Sequence, residues 1–215
     1  GGLDWNLHMT YYTNYSEVTS LNVPAYNFGG FATFLGTYRI QEGYSPTSII
    51  GSEGDPDNPD VLGDENPDYR FSLRNSFSVG PFALSFLIDK KEGGHAINLA
   101  ELIYDLGGTT VDYEENGGTR LENLGAVTRP YVQSTSYTAL RDLSLTYTLP
   151  GTMTEGYGVS YLQLGLSARN WWMASDYPGL SPEVSQFGNE AVGGSVDTAP
   201  YPLSKSLYLT LSMGF

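Results

Sequence analysis

The last thirteen residues of the chain, 203–215, alternate between apolar and polar side chains. The apolar side chains share one parity: Leu203, Leu207, Leu209, Leu211, Met213 and Phe215. A period of two is typical of a β-strand with one apolar face, and about 9 to 11 such residues cross the hydrocarbon core of a membrane. Phe215 would then be the aromatic C-terminal signal for barrel insertion. The last strand of a soluble β-sandwich would alternate in the same way, so this strand alone leaves both architectures open.

Six further segments are predicted to be β-strands. They begin at Leu3, Phe31, Phe71, Phe82, Tyr137 and Val159. The weakest of them runs from Phe31 to Arg39, where the apolar residues do not share a parity. The dipeptide Gly80-Pro81 predicts a tight hairpin between the segments on either side of it. Seven strands is an odd number, whereas bacterial up-and-down barrels have an even number, so we expect a further strand or part of a larger barrel.

The connections between these strands are of two lengths. Short turns are predicted at 80–81 and 150–158, and long connections follow Arg39, Asp89 and Trp172. A membrane barrel has short periplasmic turns at one rim and long extracellular loops at the other, whereas a sandwich has no reason to sort its loops in this way. We therefore predict an all-β fold, a segment of an antiparallel up-and-down transmembrane β-barrel with long extracellular loops.

One of the long connections contains a helical pattern. Apolar residues recur at helical spacing at Leu99, Leu102, Ile103 and Leu106. Asn98 is a candidate N-cap, Glu101 follows it by three residues, and Gly107 provides a stop signal. The sequence therefore predicts a short helix packed in or over a loop.

Charge is unevenly distributed along the chain, whose formal net charge is −14. Segments 41–68, 90–136 and 172–202 contain nineteen acidic residues and four basic ones, so the acidic excess belongs to the long connections. An acidic chain of this kind excludes a nucleic-acid partner, because phosphates need basic side chains. The polar parity of the predicted strands carries Arg74 and Arg169. A barrel lumen accepts arginine at lower cost than lipid does.

Few residues support catalysis or the binding of a cofactor. The chain has no cysteine, which excludes disulfide bonds and thiolate metal ligands, and His8 and His95 are far apart in the sequence. No motif places a nucleophilic serine beside a histidine, so we expect no enzyme and no cofactor. No stretch approaches 18 consecutive apolar residues, which excludes a helical membrane span.

Three sets of residues are candidates for binding. The weakest set is a metal site in the acidic segment: Asp55, Asp57, Asp60 and Asp64. Its spacing lacks the turn glycine of a calcium loop, so a solvated acidic loop is the default interpretation. The second set is expected to face the lumen: Arg74, Gln163 and Arg169. The third set would stack on a sugar ring or, as we favour, form an interfacial aromatic rim: Trp171, Trp172 and Tyr177.

Several segments are similar to motifs of one known protein family. Residues 134–150, STSYTALRDLSLTYTLP, are similar to that family's SYLRLKNLTLSYTLP stretch. Residues 164–189, LGLSARNWWMASDYPGLSPEVSQFGN, are similar to its ARNLFTWTKYPGLDPEV segment. Asn66-Pro67-Asp68-Tyr69 resembles its NPDF motif, and the two ends of the chain resemble its FxWxxxFNxSxNxNEVxxL strand and its YPxxRTFTLGLNVTF ending. The motifs follow the family's order along the chain, which therefore resembles the SusC-like (RagA-like) TonB-dependent outer-membrane transporters.

The resemblance implies a 22-stranded barrel whose lumen is filled by a plug domain. Residues 1–215 would supply the last seven strands, from strand 16 onward, with the first and the last both running toward the periplasm. The plug and the segment that contacts TonB would lie outside these residues. The partners implied are a SusD-like surface lipoprotein, TonB and outer-membrane lipid, and the substrate implied is an oligosaccharide or a peptide.

Other functions remain open from the residues themselves. A SusC-like barrel recruited as a non-transport component of an outer-membrane assembly would show the same motifs. A small structural or adhesive outer-membrane barrel of eight strands would need no long upstream region. A soluble β-sandwich that binds carbohydrate would stay in solution without detergent, which distinguishes it from both kinds of barrel.

Overall fold

The computed structural model describes residues 2–183 and 193–215 of the chain. Its strands are β1 (Leu3–Tyr12), β2 (Tyr26–Phe28), β3 (Thr37–Ile40), β4 (Ser48–Gly51), β5 (Asp60–Asp64), β6 (Pro67–Val79), β7 (Phe82–Gly93), β8 (His95–Asn98), β9 (Val132–Ser134), β10 (Tyr137–Thr148), β11 (Tyr161–Ala174), β12 (Val196–Asp197) and β13 (Ser206–Gly214). Its α-helices are α1 (Ala32–Leu35), α2 (Leu99–Leu106), α3 (Gly118–Glu122) and α4 (Gly151–Thr154). Short helical turns of other types cover Tyr113–Gly117, Arg129–Tyr131 and Glu155–Tyr157. No helix within the two described ranges is long and apolar enough to span a bilayer.

Six strands form one antiparallel sheet in the order β1-β6-β7-β10-β11-β13. We call it the main sheet. The predicted hairpin is confirmed: Gly80 and Pro81 form the turn between β6 and β7, and Val79 pairs with Phe82. Gly80 has a φ of 55°, which glycine adopts without steric strain.

The register of the main sheet gathers apolar side chains on one face. Leu145 pairs with Leu84 on one side and with Leu166 on the other, and Leu166 pairs with Leu209. This face is uncovered: Leu209 is 82% exposed and Leu211 is 56% exposed. A β-sandwich would pack a second sheet on this face, and no other sheet of the described residues does so. The sandwich alternative is therefore wrong.

The segment from Phe31 to Arg39 is not a strand of the main sheet, so the expectation of seven strands is corrected to six among the described residues. The segment contains α1 and then enters β3, which belongs to a separate sheet of order β2-β3-β4-β5. Gly36 between the two elements has a φ of 120° and breaks the chain direction. Leu35 and Tyr38 are fully buried, so the apolar residues of this segment fill a core and do not line a sheet face.

An even number of antiparallel strands changes the expected direction of the first strand. β1 and β13 lie at opposite edges of six successive antiparallel strands, so they run in opposite directions. The expectation that both run toward the same rim is wrong. Connections 13–66, 94–136 and 175–205 follow β1, β7 and β11, which share one direction, so all three lie at the same rim.

These connections fold together, and we call their described residues the loop domain. It contains the sheet β2-β3-β4-β5 and a sheet of order β12-β8-β9, in which β12 and β8 are parallel. The hydrophobic core of the chain lies here, drawn from all three connections: Leu35, Tyr38, Ile49, Leu62, Ile97, Leu102, Tyr131, Val132 and Val196. Apart from the helix in the second connection and the segment from Phe31 to Arg39, the sequence predicted no elements in these connections, because their strands of two to five residues are too short to show a period.

The helix predicted inside the second connection is confirmed as α2. The Asn98 side-chain oxygen accepts a hydrogen bond from the Glu101 backbone N–H at 2.9 Å, which is the N-cap interaction. Gly108, just beyond the helix, has a φ of 64°. Local capping chemistry was sufficient to define both ends of this element.

A β-bulge interrupts the pairing of β10 with β11 near the ends of both strands that adjoin the loop domain. Between Leu140 and Asp142 the register shifts against both neighbouring strands, and Asn170 opposite has a φ of 49°. Leu140 pairs with Ile88 on the apolar face, so Tyr137 and Ala139 turn to the polar face. Both are buried there.

Candidate functional site

The polar face of the main sheet, where it meets the loop domain, carries a salt-bridged cluster. Arg141 of β10 lies between Asp89 of β7 and Glu183 of the third connection, with Nη2 at 3.1 Å from Asp89 Oδ2 and at 2.5 Å from Glu183 Oε1. Its Nη1 donates to Glu183 Oε2 at 2.8 Å, and the Tyr137 hydroxyl donates to Asp89 Oδ2 at 3.0 Å. Bidentate pairing of this kind fixes the third connection against the polar face.

A groove of about 400 Å³ lies beside this cluster. Ala139, Arg141 and Met173 contribute from the main sheet, and Leu180 and Pro182 contribute from the third connection. The groove therefore combines a guanidinium already held by two carboxylates with aliphatic walls. At this groove the polar face of the main sheet and the loop domain form one continuous surface.

The first and third connections are tied together by buried polar contacts. The Tyr38 hydroxyl is 3.1 Å from the Ser195 N–H, from which it accepts, and 3.2 Å from the Ser195 carbonyl, to which it donates. Glu65 Oε2 accepts from the Gly193 N–H at 3.1 Å. Burial raises the pKa of Glu65, and the hydrogen bonds from Tyr38 and from the backbone oppose that rise.

A second buried ion network lies within the second connection. Arg120 donates through Nε and Nη2 to Asp105, at 2.8 and 2.7 Å, and through Nη1 to Asp112 at 2.7 Å. Asp105 is fully buried and also accepts from Tyr131 at 3.1 Å and from Thr110. Burial acts to raise the pKa of Asp105, but the hydrogen bonds from Arg120 and Thr110 outweigh it and lower that pKa.

The predicted aromatic set is divided by the structure. Tyr177 is only 7% exposed, and its hydroxyl donates to Asp197 Oδ2 at 2.7 Å, so its place in an aromatic rim is wrong. Trp171 and Trp172 lie half-exposed near the loop end of β11, and Trp171 lines an apolar recess with Leu207 on the apolar face. An interfacial role for these two tryptophans stays a prediction.

The residues predicted to face the lumen all lie on the polar face but are not brought together. Arg74 lies opposite His8 in the register of neighbouring strands, and Gln163 donates to Thr148 Oγ1 at 3.0 Å. The Arg169 guanidinium lies over the Tyr208 ring, 5.8 Å from the ring centre. They belong to different strands or to different ends of one strand. Contact with a substrate stays a prediction for each of them.

The acidic metal candidates do not form a site. Asp55 accepts from the Asp57 N–H at 3.1 Å, and Asp64 accepts from Thr47 at 2.6 Å and from the Asn66 N–H at 2.8 Å. Among the residues that the structure describes, no three acidic or histidine side chains meet in an arrangement able to hold a metal ion. Phe215 is 88% exposed beyond the end of β13, and its role as an insertion signal is untested.

The fold and the sequence were compared with known proteins. No protein-family model matches the chain. "TonB-dependent receptor P3" of Formosa agariphila is 26% identical over 172 residues, which cover 72% of this chain. "TonB-dependent receptor P26" of the same organism is 26% identical over 216 residues, covering 85% of this chain. The chain is a relative of the TonB-dependent receptors.

Solved structures agree with this relationship at the level of the fold. A chain of the "RagAB peptide transporter" matches with a TM-score of 0.66 and 19% identity over 96% of this chain. The "RagAB peptide importer in the 'closed-closed' state" matches with a TM-score of 0.62 and 20% identity over 97%. The chain spans 17% and 22% of the two TonB-dependent receptors it matches, and 26% and 27% of the two RagAB chains.

Sequence reasoning missed the residues that hold the loop domain of this TonB-dependent receptor relative together. The role of Arg120 could have been predicted from the sequence. It is one of four cations in the acidic segment 90–136, where a cation is expected to pair with carboxylates. Tyr38 and Glu65 gave no comparable signal, because their partners lie 157 and 128 residues away. Residues 184–189 of the segment that resembles the family lie outside the described residues.

Proposed function

We propose that the chain is the C-terminal wall segment of an outer-membrane importer of the TonB-dependent receptor type. The observation that carries this proposal is the main sheet, which has one uncovered apolar face, a polar opposite face and a folded domain at one rim only. Lipid is the medium that makes an uncovered apolar sheet face stable, and an outward apolar band with a polar interior is the pattern of outer-membrane barrels.

The length of the match supports a position in a larger barrel. Six strands in about a quarter of a RagAB chain would correspond to strands 17–22 of a 22-stranded barrel, in place of the strand 16 onward that seven strands would have required. The outer edges of β1 and β13 pair with no other strand of the described residues, so both are open to neighbours that would complete the wall.

The partners follow from the position of the loop domain. It lies at the rim opposite the short turns, which is the extracellular rim in a barrel of this kind. A SusD-like surface lipoprotein would meet the importer there, TonB would act through a plug outside these residues, and the cargo would be an oligosaccharide or a peptide. The matched structures are of a RagAB "peptide transporter" and "peptide importer", which makes a peptide one of the cargoes that we propose.

The test uses the full-length protein in its native cell envelope. We expect it in the outer-membrane fraction, resistant to extraction without detergent, and migrating faster on gels before boiling than after. Deletion of its gene is expected to abolish uptake of one oligosaccharide or peptide nutrient, and complementation to restore it. A protein that assembles in the outer membrane while uptake of every nutrient is unchanged would contradict import and favour the recruited, non-transport barrel.

A further inference from the structure

A groove of about 720 Å³ lies on the loop domain, beside the Arg120 ion network. One wall is formed by α2 and the turn that follows it, residues 98–112, and the other by residues 178–180 of the third connection. The groove is therefore built from two connections that are distant in sequence, and its shape depends on the folded loop domain.

The polar side chains of the lining are engaged within the chain. Besides the Tyr104 phenol, the side-chain donors are those of Asn98, Thr109 and Thr110, and each donates to an acceptor of this chain. A sugar buries many hydroxyls, and each one left without a partner costs free energy. The lining carboxylates, Glu101 and Asp112, already accept from Gln133 and Arg120, so the lining offers a sugar ring few free polar partners.

The remaining surface of the groove is apolar and accessible. Ala100, Tyr104, Val111, Pro178 and Leu180 supply aliphatic and aromatic atoms. Val111 and Leu180 are both exposed and belong to the loop domain, outside the strands of the main sheet. An exposed apolar surface outside the bilayer marks a binding site for an apolar group, because its burial removes that surface from water.

The charge around the groove is predominantly negative, although a guanidinium also lies 3.7 Å from Glu101 Oε1. Glu101 and Asp112 line it, and Glu114 and Glu115 are exposed on the neighbouring turn. The nearby cation, Arg120, is held by Asp105 and Asp112 inside the domain. Carboxylates beside an apolar floor attract a group with a positive charge and repel a negative one.

The groove adjoins the groove on the polar face of the main sheet. Gly179 and Leu180 line both this groove and the 400 Å³ groove beside Arg141. A ligand that occupies the outer groove therefore lies next to the surface that leads along the interior of the wall. This position favours a cargo site over an external contact.

We propose that this groove binds an apolar side chain of a peptide that carries a positive charge on the adjacent residue. The positive group is an N-terminal ammonium, a lysine or an arginine. The inference rests on the proposed importer function, and it narrows the cargo from oligosaccharides or peptides to peptides of this kind.

The test measures binding to the full-length protein purified in detergent with its surface lipoprotein. Calorimetric titration uses a pentapeptide with leucine next to lysine, the same peptide with glutamate in place of lysine, and a neutral oligosaccharide of similar mass. We expect the leucine–lysine peptide to bind at least about tenfold more tightly than either of the others. Equal affinities for the two peptides, or tighter binding of the oligosaccharide, would overturn the inference.

A matched pair of variants locates the site. Val111→Lys places a cation at the groove and is expected to weaken binding of the leucine–lysine peptide by about tenfold or more. Leu106→Lys, an exposed position at the end of α2 outside the lining, is expected to change it by less than about twofold. Both positions are exposed, so neither change should disturb folding.

Two outcomes separate this inference from the importer proposal. If Val111→Lys lowers copurification of the lipoprotein and leaves peptide affinity unchanged, the groove is a contact for the lipoprotein and the peptide inference is wrong. If nutrient uptake by intact cells persists while neither variant alters peptide binding, the importer proposal stands and the groove inference fails.

Discussion

The main sheet and the loop domain are stabilised in different ways. The main sheet buries few large apolar side chains within the described residues, and its leucine rows are open to the surroundings. The loop domain has a core in which Tyr38, Ile97 and Val196 are fully buried, and buried charged side chains add to its stability. The difference shows that one chain can depend on its medium in one region and on its own core in another.

The largest expected effect comes from placing charge on the apolar face of the main sheet. Leu209→Arg combined with Leu211→Arg puts two guanidinium groups where lipid is proposed, at about 2 to 4 kcal/mol each near the bilayer midplane. We expect the heat-modifiable, membrane-assembled form of the full-length protein to be nearly lost. Thr210→Arg, on the polar face between them, is the matched control and should assemble normally. Equal assembly of the two variants would contradict a lipid-facing surface.

Arg120→Ala tests the ion network of the loop domain. The change leaves the fully buried Asp105 carboxylate without its guanidinium partner, and breaking a buried pair in this way costs about 3 to 5 kcal/mol. Limited proteolysis of the full-length protein should cleave the loop domain faster, while the strands of the main sheet stay protected. Arg129→Ala removes an exposed pair with Glu53 and should cost about 1 kcal/mol or less.

Ile97→Ala tests the apolar core that joins the three connections. Ile97 is fully buried, and truncation of such a side chain typically costs about 2 to 5 kcal/mol. Faster hydrogen exchange is expected throughout the loop domain, without loss of membrane assembly. Ile103→Ala, on the exposed side of α2, provides the control. If Ile97→Ala abolished assembly of the barrel, the two regions would not be independently stabilised.

The pH dependence of the loop domain separates its ion network from its apolar core. Hydrogen bonds from Arg120 lower the pKa of Asp112, and hydrogen bonds from Arg120 and Thr110 lower that of Asp105 against the effect of burial. A lowered pKa contributes stability above the unfolded value of about 4, and this contribution is lost as pH falls through the folded value. The fraction of the protein whose loop domain resists proteolysis should therefore decrease as the pH falls. In Arg120→Ala this fraction should depend less steeply on pH. An unchanged slope would contradict the role of the network.

Asn98→Ala gives the smallest expected effect. It removes the N-cap hydrogen bond to the Glu101 N–H and the side-chain contact with Gln133, at a cost of about 1 kcal/mol. Hydrogen exchange in the first turn of α2 should increase, while exchange in β3 and β4 should not. Asn98→Asp keeps an N-cap acceptor and should retain most of the protection.

The main sheet could be predicted from the sequence because its strands are long enough to show a period of two. The hairpin at Gly80 and the helix beginning after Asn98 were predicted for a similar reason, since a tight turn and a helix cap are read from neighbouring residues. The segment from Phe31 to Arg39 was predicted wrongly because its apolar residues pack into a core built from distant parts of the chain.

The candidate sites were less predictable than the fold. Arg141 shares the parity of the apolar residues Leu143 and Leu145, and only the bulge beside it turns it to the polar face. Its partners there, Asp89 and Glu183, lie 52 and 42 residues away. Tyr177 was assigned to a rim because aromatic residues often end membrane strands, and the structure buries it against Asp197. Neither pairing has a signature in local sequence.

The sequence by itself determined the two-faced strands, the sorted turns and the acidic character of the long connections, because period, turn residues and charge are local properties. Only the tertiary structure decided that these connections share one core and that α2 and residues 178–180 enclose a groove between them. Short elements gain stability when they pack against elements from other connections, so their arrangement depends on contacts that no single stretch of sequence contains.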